Sequence, residues 1–226
     1  MSAQPSPQAD GRKSPRIHEA GTADARLREL GLTTALLAEC LTNGDHAARQ
    51  ANEFHPVTAS GMFRWLATAE TLRRLLADEG WQPTDIRNSP RIVNPAGTII
   101  LTVAGGNDAV GHPDRSLQFA RQRGETTARA VAINLYLQDQ LPFPPTADMS
   151  AEPEPTGVTW FLMYHRDTSD NVLFGELARP VRMNATGLAV EWAERIILPP
   201  IDFGSVRLVT PVTDEQAGID FHVEAI

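Results

Sequence analysis

A chain of 226 residues, 42% of them hydrophobic, is long enough for one large domain or two small ones and carries the apolar material for a core. Its single cysteine, Cys40, excludes an intrachain disulfide and a cysteine metal cluster. Its single lysine, Lys13, excludes a phosphate-binding Gly-Lys loop, a Schiff-base lysine, a Ser–Lys pair and a kinase-type lysine, and it disfavours a restriction-type nuclease core. The lysine-poor, arginine-rich usage is of a bacterial, GC-rich kind. The formal net charge of −8 is uneven: residues 139–156 hold Asp139, Asp148, Glu152 and Glu154 with no base, and acids outnumber bases again after them.

Residues 1–23 are rich in Ser, Pro, Gln and Ala, with Ile17 the lone large aliphatic after Met1, so a disordered tail is expected there. The segment has no apolar signal core, and no stretch approaches the length needed to span a bilayer, so the expected setting is cytoplasmic, away from membranes. Asp24 fits a helix N-cap before Leu27 and Leu30, with Gly31 ending the turn. Thr33 fits the cap of a second helix through Leu36, Leu37, Cys40 and Leu41, and Asn43-Gly44 reads as its stop. Asp45 to Asn52 would form a further short helix. Cys40, set among leucines, reads as a small buried hydrophobe.

The strongest periodicity lies between Thr58 and Gly80. Met62, Trp65, Leu66, Ala69, Leu72 and Leu76 recur at steps of three and four, which predicts a helix buried along that stripe with Arg64, Thr68 and Thr71 off it. Asn94-Pro95-Ala96-Gly97 is a turn between two extended runs, the second of which alternates through Ile99, Leu101 and Val103. A helix starting at Thr126 or Thr127 is expected to run through Val131, Leu135 and Tyr136.

Residues 139–157 are acidic and proline-rich and read as a linker or long loop. After them, Val158–Tyr164 is apolar on both faces like a central strand, and Val172–Leu177 follows a polar turn. Leu188–Leu198 fits both periods, but neighbouring strand signals and Pro199-Pro200 favour a strand. Ile219, Phe221 and Val223 alternate as a half-exposed strand. The fold class is therefore α+β, with N-terminal helices packed on a mainly antiparallel sheet. The expected organisation is a tail over 1–23, a helix-rich part with a short hairpin over 24–138, the linker over 139–157 and a β-rich part over 158–226. Residues 24–226 form one composite unit.

Arg115, Arg121, Arg123 and Arg129, around the start of the helix near Thr126, are the candidate anion-binding residues. His165, Asp167 and Asp170, at a strand end, are the candidate catalytic residues. With His222 and Glu224 they are metal-capable, but no spacing specifies a metal, so no metal and no cofactor is expected. His165-Arg166-Asp167 matches a fragment of a kinase loop whose other elements are missing. The leading expectation is a non-enzymatic binding or regulatory protein acting through protein–protein contact, with a basic partner suited to the acidic later segments. The alternatives are an enzyme on a phosphorylated or nucleic-acid substrate, and a nucleic-acid accessory subunit using the arginine-bearing middle segment.

Overall fold

The computed structural model describes residues 14–139 and 156–204. Four helices and an eight-stranded mixed sheet make up this α+β architecture: β1 Arg16–His18, α1 Ala23–Glu29, α2 Thr34–Ala48, α3 Ala59–Asp78, β2 Gln82–Ile86, β3 Ser89–Val93, β4 Ile99–Gly105, α4 Glu125–Asp139, β5 Val158–Asp167, β6 Val172–Met183, β7 Ala189–Ile197 and β8 Ile201–Asp202. The sheet runs β1-β7-β6-β5-β4-β3-β2, with β8 paired to β6. Most neighbours are antiparallel. The exceptions are β1 with β7, and β4 with β5, which are joined through the crossover that contains α4. Strands from both sides of residues 140–155 thus lie in one sheet.

Alternation along β5 explains the two cores. Trp160 and Leu162 point to the face covered by α1, α2 and α3, together with Leu37, Leu41, Leu72, Leu76 and Leu177. Phe161 and Met163 point to the other face, where they meet Val110, Leu117, Phe119 and Trp192. Both faces of β5 are covered, which is why its sequence reads as a continuous apolar run.

Several local expectations hold. Thr33 caps α2, its Oγ1 accepting the Leu36 N–H at 3.1 Å. Gly31 takes positive φ where α1 ends. The segment 188–198 is a strand. Cys40 is fully buried, and burial pushes its thiol up to about 12.

Other expectations are corrected. Residues 16–18, expected within a tail over 1–23, are instead ordered, because β1 pairs with β7 and His18 Nε2 lies 2.9 Å from the buried Glu194 carboxylate. Glu194 also accepts Arg26 Nε at 2.6 Å, so one carboxylate ties β1 and α1 to β7. Residues 1–13 lie outside the described residues, as do most of the 139–157 segment and the strand expected at 219–223. The cap of α1 is at Thr22 rather than Asp24, which sits in the first turn and accepts a hydrogen bond from the Thr34 hydroxyl.

Gly44 does not stop α2, and Asp45 opens no separate helix. The helix continues to Ala48 because Gly44 is where α3 crosses: a Cβ there would overlap Thr68 Oγ1 and lie 2.9 Å from the Arg64 carbonyl. The buried face of α3 is rotated from the expected stripe. Thr68 and Thr71 are buried with Ala69, Leu72 and Leu76, whereas Met62 and Leu66 are 56% and 52% exposed. Thr68 can go inside because its hydroxyl donates to the Arg64 carbonyl at 2.8 Å, so no polar group is left unpaired. The hairpin of β2 and β3 turns through Arg87 and Asn88, both at positive φ, as a two-residue primed turn requires.

Two buried polar devices hold the sheet. Pro180 has no N–H to offer, and the β5–β6 ladder ends at Phe161–Ala178. The fully buried Asn134 of α4 takes over: its amide donates to the Thr159 and Pro180 carbonyls at 2.8 Å each and accepts the Thr159 N–H at 2.7 Å. Four residues before Pro180 along β6, Glu176 forms a buried bidentate pair with Arg195 of β7 at 2.7 and 2.9 Å. Arg195 also donates to the carbonyls of Ala109, His112 and Arg115 at 3.1 Å, and Glu176 accepts the Gly111 N–H at 2.9 Å. The pair thereby staples the loop after β4 to the sheet.

Two stability measurements check this packing. Leu72→Ala should cost about 2–5 kcal/mol and Leu66→Ala less than about 0.5 kcal/mol in urea denaturation; equal costs would restore the unrotated stripe. Glu176→Ala, which strands a buried guanidinium, should cost about 3–5 kcal/mol and raise hydrogen exchange in residues 106–117. A loss below 1 kcal/mol would show that the pair is dispensable.

Candidate functional site

A cleft of about 430 Å³ opens where β4 ends and its parallel pairing with β5 stops at Gly105–Tyr164. Gly105, Tyr164, His165 and Arg166 come from the strand ends, with Gly106 just beyond β4. Thr58, Gly61, Met62, Arg64 and Trp65 come from the start of α3, and Ala120, Arg121 and Arg123 from the loop before α4. The carboxyl end of parallel strands is where the chain turns away and leaves a crevice between crossover and sheet. Here the crevice is walled on one side by a helix and on the other by a loop that folds back, since Gly106 bridges to Phe119.

Each arginine is placed by a distinct device. Asp45, buried in α2, accepts Arg64 Nη2 at 2.9 Å, Arg166 Nε at 3.1 Å and Arg49 Nε at 2.9 Å. One carboxylate thus holds three guanidinium groups, two of which line the cleft. Burial pushes the Asp45 carboxyl upward, but the hydrogen bonds from Arg64 and Arg49 and the nearby charges outweigh it and hold it below its ordinary value. Every nitrogen of Arg166 has a partner, for its other two donate to the backbone carbonyls of Asp167 and Val172 and to the Asn171 side chain.

Arg123 lies 5.1 Å over the Phe119 ring, and its backbone N–H donates to the Gly187 carbonyl at 2.9 Å. Gly187, at positive φ, lets the β6–β7 turn press on Arg123, for a Cβ there would lie 2.9 Å from the Arg123 nitrogen. Burial lowers the pKa of Arg123 and raises that of Tyr164. Neither Arg121 nor Arg123 has an ion-pair partner among the described residues, and the Nε atoms of Arg64 and Arg123 are buried without an acceptor. Among the described residues no carboxylate lines the cleft.

An apolar shelf adjoins it. Of the five large hydrophobic residues exposed among the described residues, Phe54, Val57, Met62 and Leu66 fall on the segment that leads into and begins α3, and Met62 itself lines the cleft. Trp65 is turned inward from that shelf, its indole N–H donating to the Val103 carbonyl at 3.2 Å.

The residues singled out from sequence divide. Arg121, Arg123 and His165 meet in the cleft. Arg115 instead pairs with Asp108 at 3.6 Å, and Arg129 with Glu125 at 2.6 Å one helical turn away. Asp167 closes the β5–β6 turn by accepting the Ser169 N–H and hydroxyl, at 2.9 and 2.7 Å, and the Asp170 N–H at 3.2 Å. Among the described residues no three His, Cys, Asp or Glu side chains gather as a metal set, and His222 and Glu224 lie outside them. No helix there is long and apolar enough to cross a membrane. Arg64 and Arg166, half of the cationic wall, were not singled out from sequence. The one available signal for Arg166 was its place beside His165 at a strand end, and Arg64 gave none because its role follows from Asp45.

No protein-family model matches the chain, nor does any curated protein or solved structure.

The Asp45 hub has a testable pH signature. Its folded pKa is depressed, so between that value and the ordinary carboxylate value of about 3.9 only the unfolded chain takes up the proton. The hub's contribution is therefore complete at neutral pH and is lost as pH falls through the folded pKa. Asp45→Asn should destabilise the protein at pH 7, and its stability gap to the wild type should narrow as pH is lowered below 4. A gap independent of pH would show that the carboxylate charge is not what holds the three arginines.

Proposed function

We propose that this protein is a non-enzymatic binding protein that docks a protein partner at this corner. An anionic group of the partner enters the arginine cleft, and its apolar side chains cover Phe54, Val57, Met62 and Leu66. The observation that carries the reading is the convergence of Arg64, Arg121, Arg123 and Arg166 on a cleft that no carboxylate of the described residues lines. Guanidinium groups in a partly dry crevice bind oxyanions through charge-assisted hydrogen bonds. The adjoining shelf supplies the apolar area that such a site needs to hold a macromolecule rather than a free ion. The cleft favours an acidic partner group, opposite in sign to the basic partner that the acidic later segments suggest. Of those segments, 140–155 and 205–226 lie outside the described residues, and within the described part Glu176 and Glu194 are already buried in pairs with arginines.

A second reading, an enzyme acting on a phosphorylated substrate, draws on His165, whose imidazole shares the cleft with the arginines and could move a proton. The middle segment offers less to nucleic acid, since Arg115 and Arg129 are spent in local pairs rather than forming one basic surface with Arg121 and Arg123.

Thermal denaturation in oxyanion titrations at constant ionic strength tests the cleft. Sulfate or phosphate should raise the melting temperature saturably. An Arg121→Ala, Arg123→Ala double variant should lose that rise, and an Arg115→Ala, Arg129→Ala variant should keep it. Equal responses in both variants would overturn the reading.

A further inference from the structure

The donors, charges and shape of the cleft go further than its sign. We infer that the anionic group is a phosphomonoester on an apolar or aromatic stem, borne by a phosphorylated side chain of the partner. The inference rests on the anion-binding reading above and adds the class of ligand.

Charge is the first argument. Asp45 is the single carboxylate held by Arg49, Arg64 and Arg166, and Arg121 and Arg123 have no ion-pair partner among the described residues. A lone carboxylate would leave most of that surplus unanswered. A phosphomonoester carries close to two charges at neutral pH and offers three acceptor oxygens.

Donor supply is the second. Arg166 has four of its five N–H donors engaged and acts mainly as scaffold and fixed charge. Arg64 commits Nη2 to Asp45, and its Nε has no acceptor. Arg121 and Arg123 make no side-chain hydrogen bond among the described residues. Three guanidinium groups with open donors, on a helix and a loop that face each other, suit an acceptor with oxygens in several directions better than a planar carboxylate that one guanidinium satisfies bidentately. Arg123 is already oriented by Phe119 and Gly187, so little freedom remains to be lost on binding.

Shape is the third. The space is far larger than a phosphate group needs, and its uncharged lining is Gly61, Met62, Trp65, Gly105, Ala120 and Tyr164. Nothing lies within 4 Å of where a Cβ of Gly61 would be, so the wall is open on that side for the stem to leave toward Met62 and Leu66.

Isothermal titration of the full chain at constant ionic strength with phenyl phosphate, phenylacetate and inorganic phosphate tests the inference. Phenyl phosphate should bind saturably, at least tenfold tighter than phenylacetate and tighter than inorganic phosphate. Arg121→Ala with Arg123→Ala should weaken it at least tenfold while the circular dichroism spectrum stays native, and Arg115→Ala should leave it unchanged. A tyrosine-phosphorylated peptide with apolar flanks should bind tighter than phenyl phosphate, and Phe54→Ser with Val57→Ser, both outside the cleft lining, should weaken the peptide alone. If phenyl phosphate and phenylacetate bind equally, the phosphomonoester falls and the anion site stands. If neither binds, both fall. If the peptide binds no tighter than phenyl phosphate, the phosphorylated ligand is a small molecule and the partner side chain is overturned.

Discussion

The buried pair of Glu176 and Arg195 is the interaction on which the arrangement around the cleft depends. Both side chains are essentially inaccessible, so each would be costly without the other, and each is satisfied beyond the pair itself. Arg195 spends its remaining donors on carbonyls of the loop after β4, and Glu176 takes a backbone N–H from the same loop. A long loop with little regular structure of its own is thereby given a fixed path. That path returns Phe119 to the end of β4 and delivers Arg121 and Arg123 opposite α3. A hydrophobic contact would bury area equally well, but it would not dictate which carbonyls face the sheet. The charged fork does so because its donors point in fixed directions.

A second hub works on the opposite wall. Asp45 is fed by residues from its own helix, from the next helix and from a central strand, and it aligns Arg64 and Arg166 along the cleft. The close crossing of α2 and α3 at Gly44 and Thr68 makes this possible, because a bulkier residue at 44 would push α3 and Arg64 away. The cleft is therefore assembled from two rigid sides that share no local sequence. Its surplus of positive charge is held in place by carboxylates behind the surface, not within it. Such an arrangement leaves the guanidinium faces available to a ligand while limiting their mutual repulsion.

At the far edge of the sheet, Glu194 plays a comparable role for His18, Arg26 and Arg179, and the guanidinium groups of Arg26 and Arg179 also lie within 6 Å of the Trp160 ring. Together with Asn134, which stands in for the ladder bonds that Pro180 cannot make, these groups show a common strategy. Where the sheet is irregular or an element is short, one buried polar side chain with its hydrogen-bonding capacity filled takes the place of regular pairing. The short β1 is an instance, for three residues would add little to a sheet without the contact of His18 to Glu194.

What the sequence by itself determined is local. The Thr33 cap, the break at Gly31, the turn at Asn94–Gly97, the doubly apolar β5 and the α+β class were legible because each depends on residues a few positions apart. Even there, single-helix periodicity put Leu66 inside and Thr68 outside, since it ranks side chains by polarity and cannot know that Thr68 finds the Arg64 carbonyl. Gly44 read as a stop for the same reason: its local signal is flexibility, but its use is clearance for another helix. Only the tertiary structure decided the cleft. Arg121, Arg123 and His165 could be nominated from sequence, but not their company, because Arg64 and Arg166 are recruited by Asp45, the latter across 121 positions of chain. Arg115 and Arg129, equally basic on paper, are withdrawn by the acids beside them. A charge becomes part of a site when folding turns it toward like charges on a common cleft, and that depends on long-range contacts that no local pattern records.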